Sequence, residues 1–130
     1  MIERDEKYRG RVRYVGFVEE ATLAALYGRA AATIFFSRFE GFGFPMVEAF
    51  KLGCPVLYNS ECEVLRQHAE GAAIAIDERS IEDGLPAEVG ELFDVGLRAQ
   101  RRERMAAVAA GYDWDSCAEA YMKVLEKVAP

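Results

Sequence analysis

Two glutamates, Glu40 and Glu48, flank a glycine-bearing segment and offer most of the chemistry that this sequence contains. Seven residues separate them, and those residues read Gly-Phe-Gly-Phe-Pro-Met-Val. An apolar run at 32–36 precedes the segment, and a stretch of helical composition at 46–52 follows it. The order is therefore strand, glycine loop and helix N-terminus, which is the arrangement that binds phosphates and polyols in open α/β sheets.

The helix that begins near Phe44 or Pro45 is expected to attract an anion such as a diphosphate. Its first N–H groups have no partner within the helix, and its dipole is positive at that end. Gly41 and Gly43 leave room for a ligand against the backbone and permit dihedral angles that other residues avoid. Pro45 suits the first turn, because its missing N–H does no harm there.

The two carboxylates suit neighbouring hydroxyl groups. We expect Glu48 in the first helical turn, where its side chain leans back toward a ligand at the N-terminus. Two carboxylate oxygens accept hydrogen bonds from a ribose diol, and Glu40 could do the same for a sugar, so one nucleotide-sugar satisfies both. The alternative is that Glu48 only stabilises the helix dipole by about 0.3–1 kcal/mol, and that Glu40 is a surface loop residue.

Composition excludes several other classes of site and protein. At 130 residues and 52% hydrophobic content the chain has the size of one domain with a real core. The sequence contains no apolar run of about 18 residues, so no membrane span is predicted. Its N-terminus is charged, so no signal peptide is predicted either. Three cysteines without a CxxC pair favour a reduced, cytoplasmic location. With His68 as the single histidine, no metal site is predicted.

The charge is negative overall but uneven along the chain. A net charge of −6 argues against nucleic-acid binding. Residues 70–94 carry eight acids and one base, and a basic cluster follows, made of Arg98, Arg101, Arg102 and Arg104. This cluster is either a solvated helix face or a contact with anionic lipid or with a missing domain.

Hydrophobic periodicity predicts alternating strands and helices. Strands are predicted at 11–15, 33–36, 55–58 and 72–76. Helices are predicted at 19–31, 45–52, 62–68, 98–110 and 114–128, with a helix broken by Gly84 and Pro86 at 80–97. This alternation predicts an α/β fold, a Rossmann-like parallel sheet with helices on both faces. Four strands make a small sheet, which suggests that the chain is part of a larger domain.

The central segment closely resembles the signature of the family 4 retaining glycosyltransferases, which contains two glutamates separated by seven residues. The matching pattern is Ser37-x-x-Glu40-Gly-Phe-Gly-Phe-Pro-x-x-Glu48, followed by Gly53-x-Pro55. The resemblance continues in the flanks, with Arg13-Tyr-Val-Gly-Phe-Val before the motif and Tyr112-Asp-Trp after it. These enzymes share the two-domain GT-B fold, so residues 1–130 resemble part of its C-terminal, donor-binding domain.

The resemblance implies a role for each residue of the motif. Glu40 would contact hydroxyls of the donor sugar, and Glu48 would bind the ribose, which makes them the candidate catalytic pair. The diphosphate would be held by backbone amides around Gly41, Phe42, Gly43 and Phe44. The implied reaction transfers a sugar from a nucleotide-diphosphate-sugar with retention of configuration. It needs no metal and no further cofactor.

The sequence also departs from the family pattern. The family's Leu-Pro-Glu-Val loop is replaced by Leu65-Arg-Gln-His-Ala-Glu-Gly. The resemblance implies an N-terminal acceptor domain and an Arg and Lys pair that neutralises the diphosphate, and we expect residues 1–130 to contain neither. The expected partners are therefore a missing domain or another chain, and the apolar face with Trp114 and Tyr121 predicts self-association. The expected location is cytoplasmic, with peripheral contact at the inner membrane face left open.

Two other functions remain possible interpretations of the sequence. One is a non-catalytic GT-B-like module that serves as a partner subunit or scaffold. The other is a GT-B epimerase or phosphorylase, against which the Ser37-to-Gly43 run weighs.

Overall fold

The computed structural model describes residues 10–69, 71–81 and 86–128. Its three strands are β1 (Thr33–Phe35), β2 (Val56–Asn59) and β3 (Ile74–Ile76). Its five α-helices are α1 (Glu20–Arg29), α2 (Phe44–Lys51), α3 (Glu63–Ala69), α4 (Val95–Ala110) and α5 (Trp114–Val128). Two 3₁₀ segments, Glu78–Ile81 and Ala87–Phe93, connect β3 to α4. None of the helices in the described ranges is long and apolar enough to cross a lipid bilayer.

The strands form a parallel sheet in the order β1-β2-β3. In the register, Ile34 lies beside Leu57, and Leu57 lies beside Ile74. Since α2 joins β1 to β2 and α3 joins β2 to β3, the chain contains two consecutive βαβ units. The predicted Rossmann-like α/β fold is confirmed.

The core is divided between the two faces of the sheet. On one face, α2, α3 and α4 bury Met46, Phe50, Leu65 and Met105 against Val56 of β2. On the other face, the 3₁₀ segment Ala87–Phe93 contributes Leu92 to a smaller cluster whose strand members are Leu57, Ile74 and Ile76. Neighbouring residues of β2 enter different clusters because side chains alternate along a strand.

The strand predicted at 11–15 is wrong. These residues form no strand and are not part of the sheet that the described residues build. Their apolar side chains are largely exposed, with Tyr14 at 80% and Val15 at 50%. Alternating charged and apolar residues gave the strand pattern, but a strand also needs a partner for its backbone hydrogen bonds.

The helix predicted at 80–97, broken by Gly84 and Pro86, is confirmed only in part. The described part of this region forms the two 3₁₀ segments, and α4 begins at Val95 rather than at residue 98. Asp94 sets that start, because its carboxylate accepts a hydrogen bond from the backbone N–H of Leu97 at 2.8 Å. The helix at 114–128 is confirmed, and the left-handed φ of +68° at Gly53 confirms its role in ending α2.

Candidate functional site

The carboxyl ends of the three strands lie at one edge of the sheet and bring polar residues together there. Arg38 follows β1, Asn59 ends β2, and Glu78 follows β3. The guanidinium of Arg38 donates two hydrogen bonds to the carboxylate of Glu78, at 3.0 and 2.8 Å. The side-chain amide of buried Asn59 approaches the same carboxylate at 3.5 Å. In parallel α/β sheets, ligands bind at this edge.

Arg38 and Glu78 shift each other's pKa and link two segments of the chain. Its hydrogen bonds hold the pKa of the Glu78 carboxyl below its ordinary value, and the paired carboxylate raises the pKa of Arg38. Arg38 is therefore engaged by Glu78 across the end of the sheet. It joins the loop after β1 to the segment after β3.

The glycine loop enters α2 through a backbone conformation that only glycine adopts easily. Gly43 precedes the first helical residue with φ 88° and ψ 39°. A Cβ atom added to it would lie 2.6 Å from Cδ2 of Leu65. Gly41, in contrast, has no positive φ, and an added Cβ would meet nothing within 4 Å. The predicted unusual dihedral is thus confirmed at Gly43 and wrong at Gly41, where the backbone faces open space.

Four consecutive backbone N–H groups lead into α2 without a hydrogen-bond acceptor among the described residues. None of the amides of residues 41–44 donates a hydrogen bond to any residue that the structure describes. No side chain caps the helix, and the first N–H bonded within it is that of Met46, to the carbonyl of Gly43 at 3.0 Å. Unpaired N–H groups at the positive end of a helix dipole form an anion-binding site.

An aromatic cluster fixes the loop that carries these amides. The ring of Phe42 lies 4.7 Å from that of His68 on α3 and 5.6 Å from that of Tyr112, which precedes α5. The Tyr112 hydroxyl is hydrogen-bonded to Nδ1 of His68. Phe44 stacks on Trp114 with 6.3 Å between the ring centroids. Phe42 and Phe44 therefore pack the loop against α3 and the start of α5.

The two glutamates lie on either side of this loop, and neither is paired with a described residue. Glu40 is half-buried in the loop before α2 and forms no hydrogen bond or ion pair within the described ranges. Glu48 is exposed and is the fifth residue of α2, so the prediction that it lies in the first turn is wrong. The helix begins at Phe44, which moves Glu48 into the second turn.

Glu48 faces the α1 side of the molecule. Burial raises the pKa of the Tyr27 phenol first, and the nearby carboxylate of Glu48 raises it further. Tyr27 therefore stays protonated near neutral pH, and its hydroxyl is a donor in the neighbourhood of Glu48.

Metal ligation has no evident position in the described part of the chain. There, no three side chains of His, Cys, Asp or Glu are placed to hold a metal ion. The expectation of a metal-free site stays a prediction.

Comparison with known proteins places this geometry in a family. Residues 3–85 match the sequence profile described as Glycosyl transferases group 1. The chain belongs to the group 1 glycosyltransferases. The three-stranded parallel sheet and the motif identify it with part of the C-terminal domain of a glycosyltransferase of GT-B fold.

Named relatives of this group 1 glycosyltransferase cover most of the chain. It is 30% identical over 118 residues to the O-antigen chain mannosyltransferase B of Escherichia coli, covering 90% of this chain and 30% of that protein. It is 33% identical over 125 residues to the GDP-mannose:cellobiosyl-diphosphopolyprenol alpha-mannosyltransferase of Komagataeibacter xylinus, covering 90% and 30%. It is 30% identical over 129 residues to the glycogen synthase of Mycobacterium tuberculosis strain H37Rv, covering 95% and 31%. The chain thus spans about a third of the length of these relatives.

Sequence reasoning missed the two side-chain links that organise the site of this glycosyltransferase. The partners of the Arg38–Glu78 pair are 40 residues apart, and those of the His68–Tyr112 pair are 44 apart. The signal that could have found the first link was the position of both residues just after strands, because parallel strands end at a common edge.

Proposed function

We propose that this chain is part of the donor-binding domain of an enzyme that transfers a sugar from a nucleotide-diphosphate-sugar to an acceptor. The observation that carries this proposal is the set of unused amides at residues 41–44, directly before α2 and inside the motif of two glutamates. Family membership supplies the reaction class, and the loop geometry supplies the reason for a diphosphate.

The loop and helix would act on the leaving group. As the bond to the sugar breaks, negative charge develops on the departing diphosphate. Fixed N–H donors at a helix N-terminus stabilise such charge without having to reorient during the reaction. The aromatic contacts of Phe42 and Phe44 hold these donors in place, so the donors need little further ordering when the sugar is transferred.

The carboxylates would bind the two polyol parts of the donor. Glu48 would accept hydrogen bonds from the ribose diol, and Glu40 from the hydroxyls of the transferred sugar. Neither carboxylate has a partner among the described residues, so no existing bond has to be broken on binding. We further propose that transfer retains the anomeric configuration and that it needs no metal ion or other cofactor.

The names of the relatives support a nucleotide-sugar donor and suggest which nucleotides to test first. Two relatives are named mannosyltransferases, one of them with GDP-mannose in its name, and another is named a glycogen synthase. GDP and GDP-mannose are therefore the first nucleotides to test, with UDP and ADP beside them.

Isothermal titration calorimetry with nucleoside diphosphates and monophosphates tests the proposal. If the loop binds the diphosphate, GDP, UDP or ADP binds at least tenfold more tightly than its monophosphate, because the second phosphate is the group that meets the amides. Equal affinities for GMP and GDP, and for the other pairs, would show that the loop holds no diphosphate. Addition of EDTA should leave the diphosphate affinity unchanged.

Residues 1–130 would not contain the whole catalytic apparatus. We propose that the acceptor domain and the cations that neutralise the diphosphate come from sequence outside this segment or from a partner chain. Retention would then be tested on an active protein containing this segment, by reading the anomeric coupling of the product with proton NMR. A product with the anomeric configuration opposite to that of the donor would contradict it.

A second candidate function is a non-catalytic module that serves as a partner subunit or scaffold. The observation in its favour is the apolar surface of α5, which buries none of its residues and exposes Tyr121, Leu125 and Val128. Sedimentation velocity at increasing concentration tests it against Leu125→Ser. Self-association that the variant abolishes, together with no nucleotide binding, would favour the module over the enzyme.

A further inference from the structure

A cavity lies at the opposite edge of the sheet from the glycine loop. An open cavity of about 310 Å³ is lined there by the end of α1, the turn between α2 and β2, and one face of α4. Ala30, Gly53 and Pro55, which line it, all precede strands. The cavity therefore faces the amino ends of the strands, whereas Glu40 and the unused amides follow the carboxyl end of β1.

Two arginines of α4 give this cavity its charge. Arg98 and Arg102 are four residues apart, so they share one face of the helix, and both line the cavity. No carboxylate is among the lining residues that the structure describes, although the chain has a net charge of −6. The side chains that line the cavity therefore carry a net positive charge, and the nearest carboxylate identified is that of Glu48, close to Tyr27.

The four arginines of the basic cluster differ in their partners among the described residues. Arg101 is paired with Glu91 and donates to the carbonyl of Ala73 at 3.1 Å. Arg104 donates to the carbonyl of Gly71 at 3.4 Å. Arg98 and Arg102 form no ion pair or hydrogen bond with any described residue. Two arginines therefore fasten α4 to the loop before β3, and two are left facing the cavity.

The remaining lining suits a small molecule with one anionic group. Tyr27, Leu52, Val95 and Met105 provide an apolar wall beside the guanidinium groups. Guanidinium groups bind phosphate through paired N–H donors. Burial raises the pKa of the Tyr27 phenol, so that residue adds no negative charge near neutral pH.

We propose that Arg98, Arg102 and the turn at Gly53 form a binding site for a phosphate group, separate from the nucleotide-sugar site. The phosphate belongs either to a small soluble phosphate ester or to the headgroup of an anionic lipid, because both present the same oxygens to the two arginines. The cavity and the glycine loop lie at opposite edges of the sheet, although Tyr27 in the lining of the cavity is near Glu48 of the proposed donor site.

Amide NMR titration of the chain with inorganic phosphate and pyrophosphate tests the site, with sodium chloride at matched ionic strength as the screening control. We expect saturable shifts at the amides of Gly28, Gly53 and Ala99, which chloride does not reproduce. The double substitution Arg98→Gln and Arg102→Gln should weaken this binding at least tenfold. The substitutions Lys123→Gln and Lys127→Gln remove two charges from α5 and should change it less than twofold.

A second arm distinguishes the two sources of phosphate. Vesicles containing phosphatidylglycerol are compared with neutral phosphatidylcholine vesicles in a sedimentation assay. Retention by the anionic vesicles that is lost on substitution of Arg98 and Arg102 identifies a lipid headgroup, and no retention identifies a soluble ligand. Phosphate-induced shifts that persist in the double variant would overturn the proposal. So would a wild-type chain that shows neither phosphate-induced shifts nor binding to anionic vesicles. Shifts at residues 41–44 report on the donor site, so failure of one site is distinguishable from failure of the other.

Discussion

At the scale of single residues, the two glycines of the loop have different tasks. Gly43 adopts φ +88°, and its missing Cβ leaves room for Leu65. Gly43→Ala should therefore destabilise the fold by about 1–3 kcal/mol from the left-handed backbone alone, with the contact to Leu65 adding to it. Urea unfolding followed by circular dichroism measures this loss.

Gly41→Ala is the matched control for that substitution. Gly41 has open space around it and no positive φ, so the change should stay within about 0.5 kcal/mol. Equal losses from the two variants would contradict the conformation assigned to Gly43.

Glu48 offers a test at the level of one carboxylate. If it accepts hydrogen bonds from a ribose diol, Glu48→Gln should weaken binding of a nucleoside diphosphate roughly tenfold or more, since bonds to charged acceptors contribute about 1.5–3 kcal/mol. The loss should be absent for inorganic pyrophosphate, which has no ribose. Glu119→Gln removes the charge of an exposed carboxylate on α5 and should leave the affinity for both ligands unchanged. An unchanged affinity of Glu48→Gln for the nucleotide would remove Glu48 from the site.

At the scale of elements, the hydrogen bond between Tyr112 and His68 connects the segment before α5 to α3. Tyr112→Phe keeps the ring against Phe42 but removes the hydroxyl, so the free energy of unfolding should fall by about 0.5–1.5 kcal/mol. The amide signals of Phe42 and Gly43 should shift as well, because their loop packs on this pair. Tyr121→Phe changes an exposed tyrosine of α5 and should do neither. Unmoved loop signals in Tyr112→Phe would mean that the pair does not position the loop.

The Arg38–Glu78 pair, which joins the ends of β1 and β3, predicts a dependence of stability on pH. The pKa of Glu78 is lowered in the folded chain from an ordinary value of 4.5, chiefly by the hydrogen bond from Arg38. A carboxyl with a lowered folded pKa stabilises the fold above its unfolded pKa, and this contribution disappears as the pH falls through the folded pKa. Urea unfolding at about pH 7 should therefore give a lower free energy of unfolding for Glu78→Gln than for the wild type.

The same two proteins should converge in stability as the pH falls through the lowered folded pKa of Glu78, because below that pKa the carboxyl is protonated in both the folded and unfolded states. Glu61→Gln, which removes a looser and more exposed ion-pair partner of Arg79, should show a smaller difference at neutral pH. A difference between wild type and Glu78→Gln that persists undiminished at low pH would contradict the charge-based account.

Local sequence patterns predicted the elements whose boundaries depend on local chemistry. The helix at 114–128 and the end of α2 at Gly53 are of this kind, because periodicity and a left-handed glycine define them. The strand at 11–15 was wrong, because a strand needs a partner for its backbone hydrogen bonds. The broken helix at 80–97 was right only in part, because its described residues form 3₁₀ turns and Asp94 starts α4 earlier than periodicity alone indicates. The motif of two glutamates was readable, but the contacts that hold its loop join residues about forty positions apart.

At the scale of the whole molecule, this group 1 glycosyltransferase segment has a distinct arrangement on each side of its sheet. The carboxyl edge carries the unused amides, Glu40, and the Arg38–Glu78 link. The amino edge carries the cavity with Arg98 and Arg102. One face bears α2, α3 and α4, and the other is covered in part by a 3₁₀ segment. The chain spans about a third of the length of the relatives it matches.

The most direct test of the donor site is an amide NMR titration of the chain with GDP, UDP and ADP and their sugar conjugates. If the glycine loop binds a diphosphate, at least one of these ligands will produce saturable shifts at the amides of residues 41–44, which donate no hydrogen bond to a described residue. Shifts confined to other parts of the chain, or no shifts at millimolar ligand, would contradict a nucleotide-diphosphate site in the glycine loop.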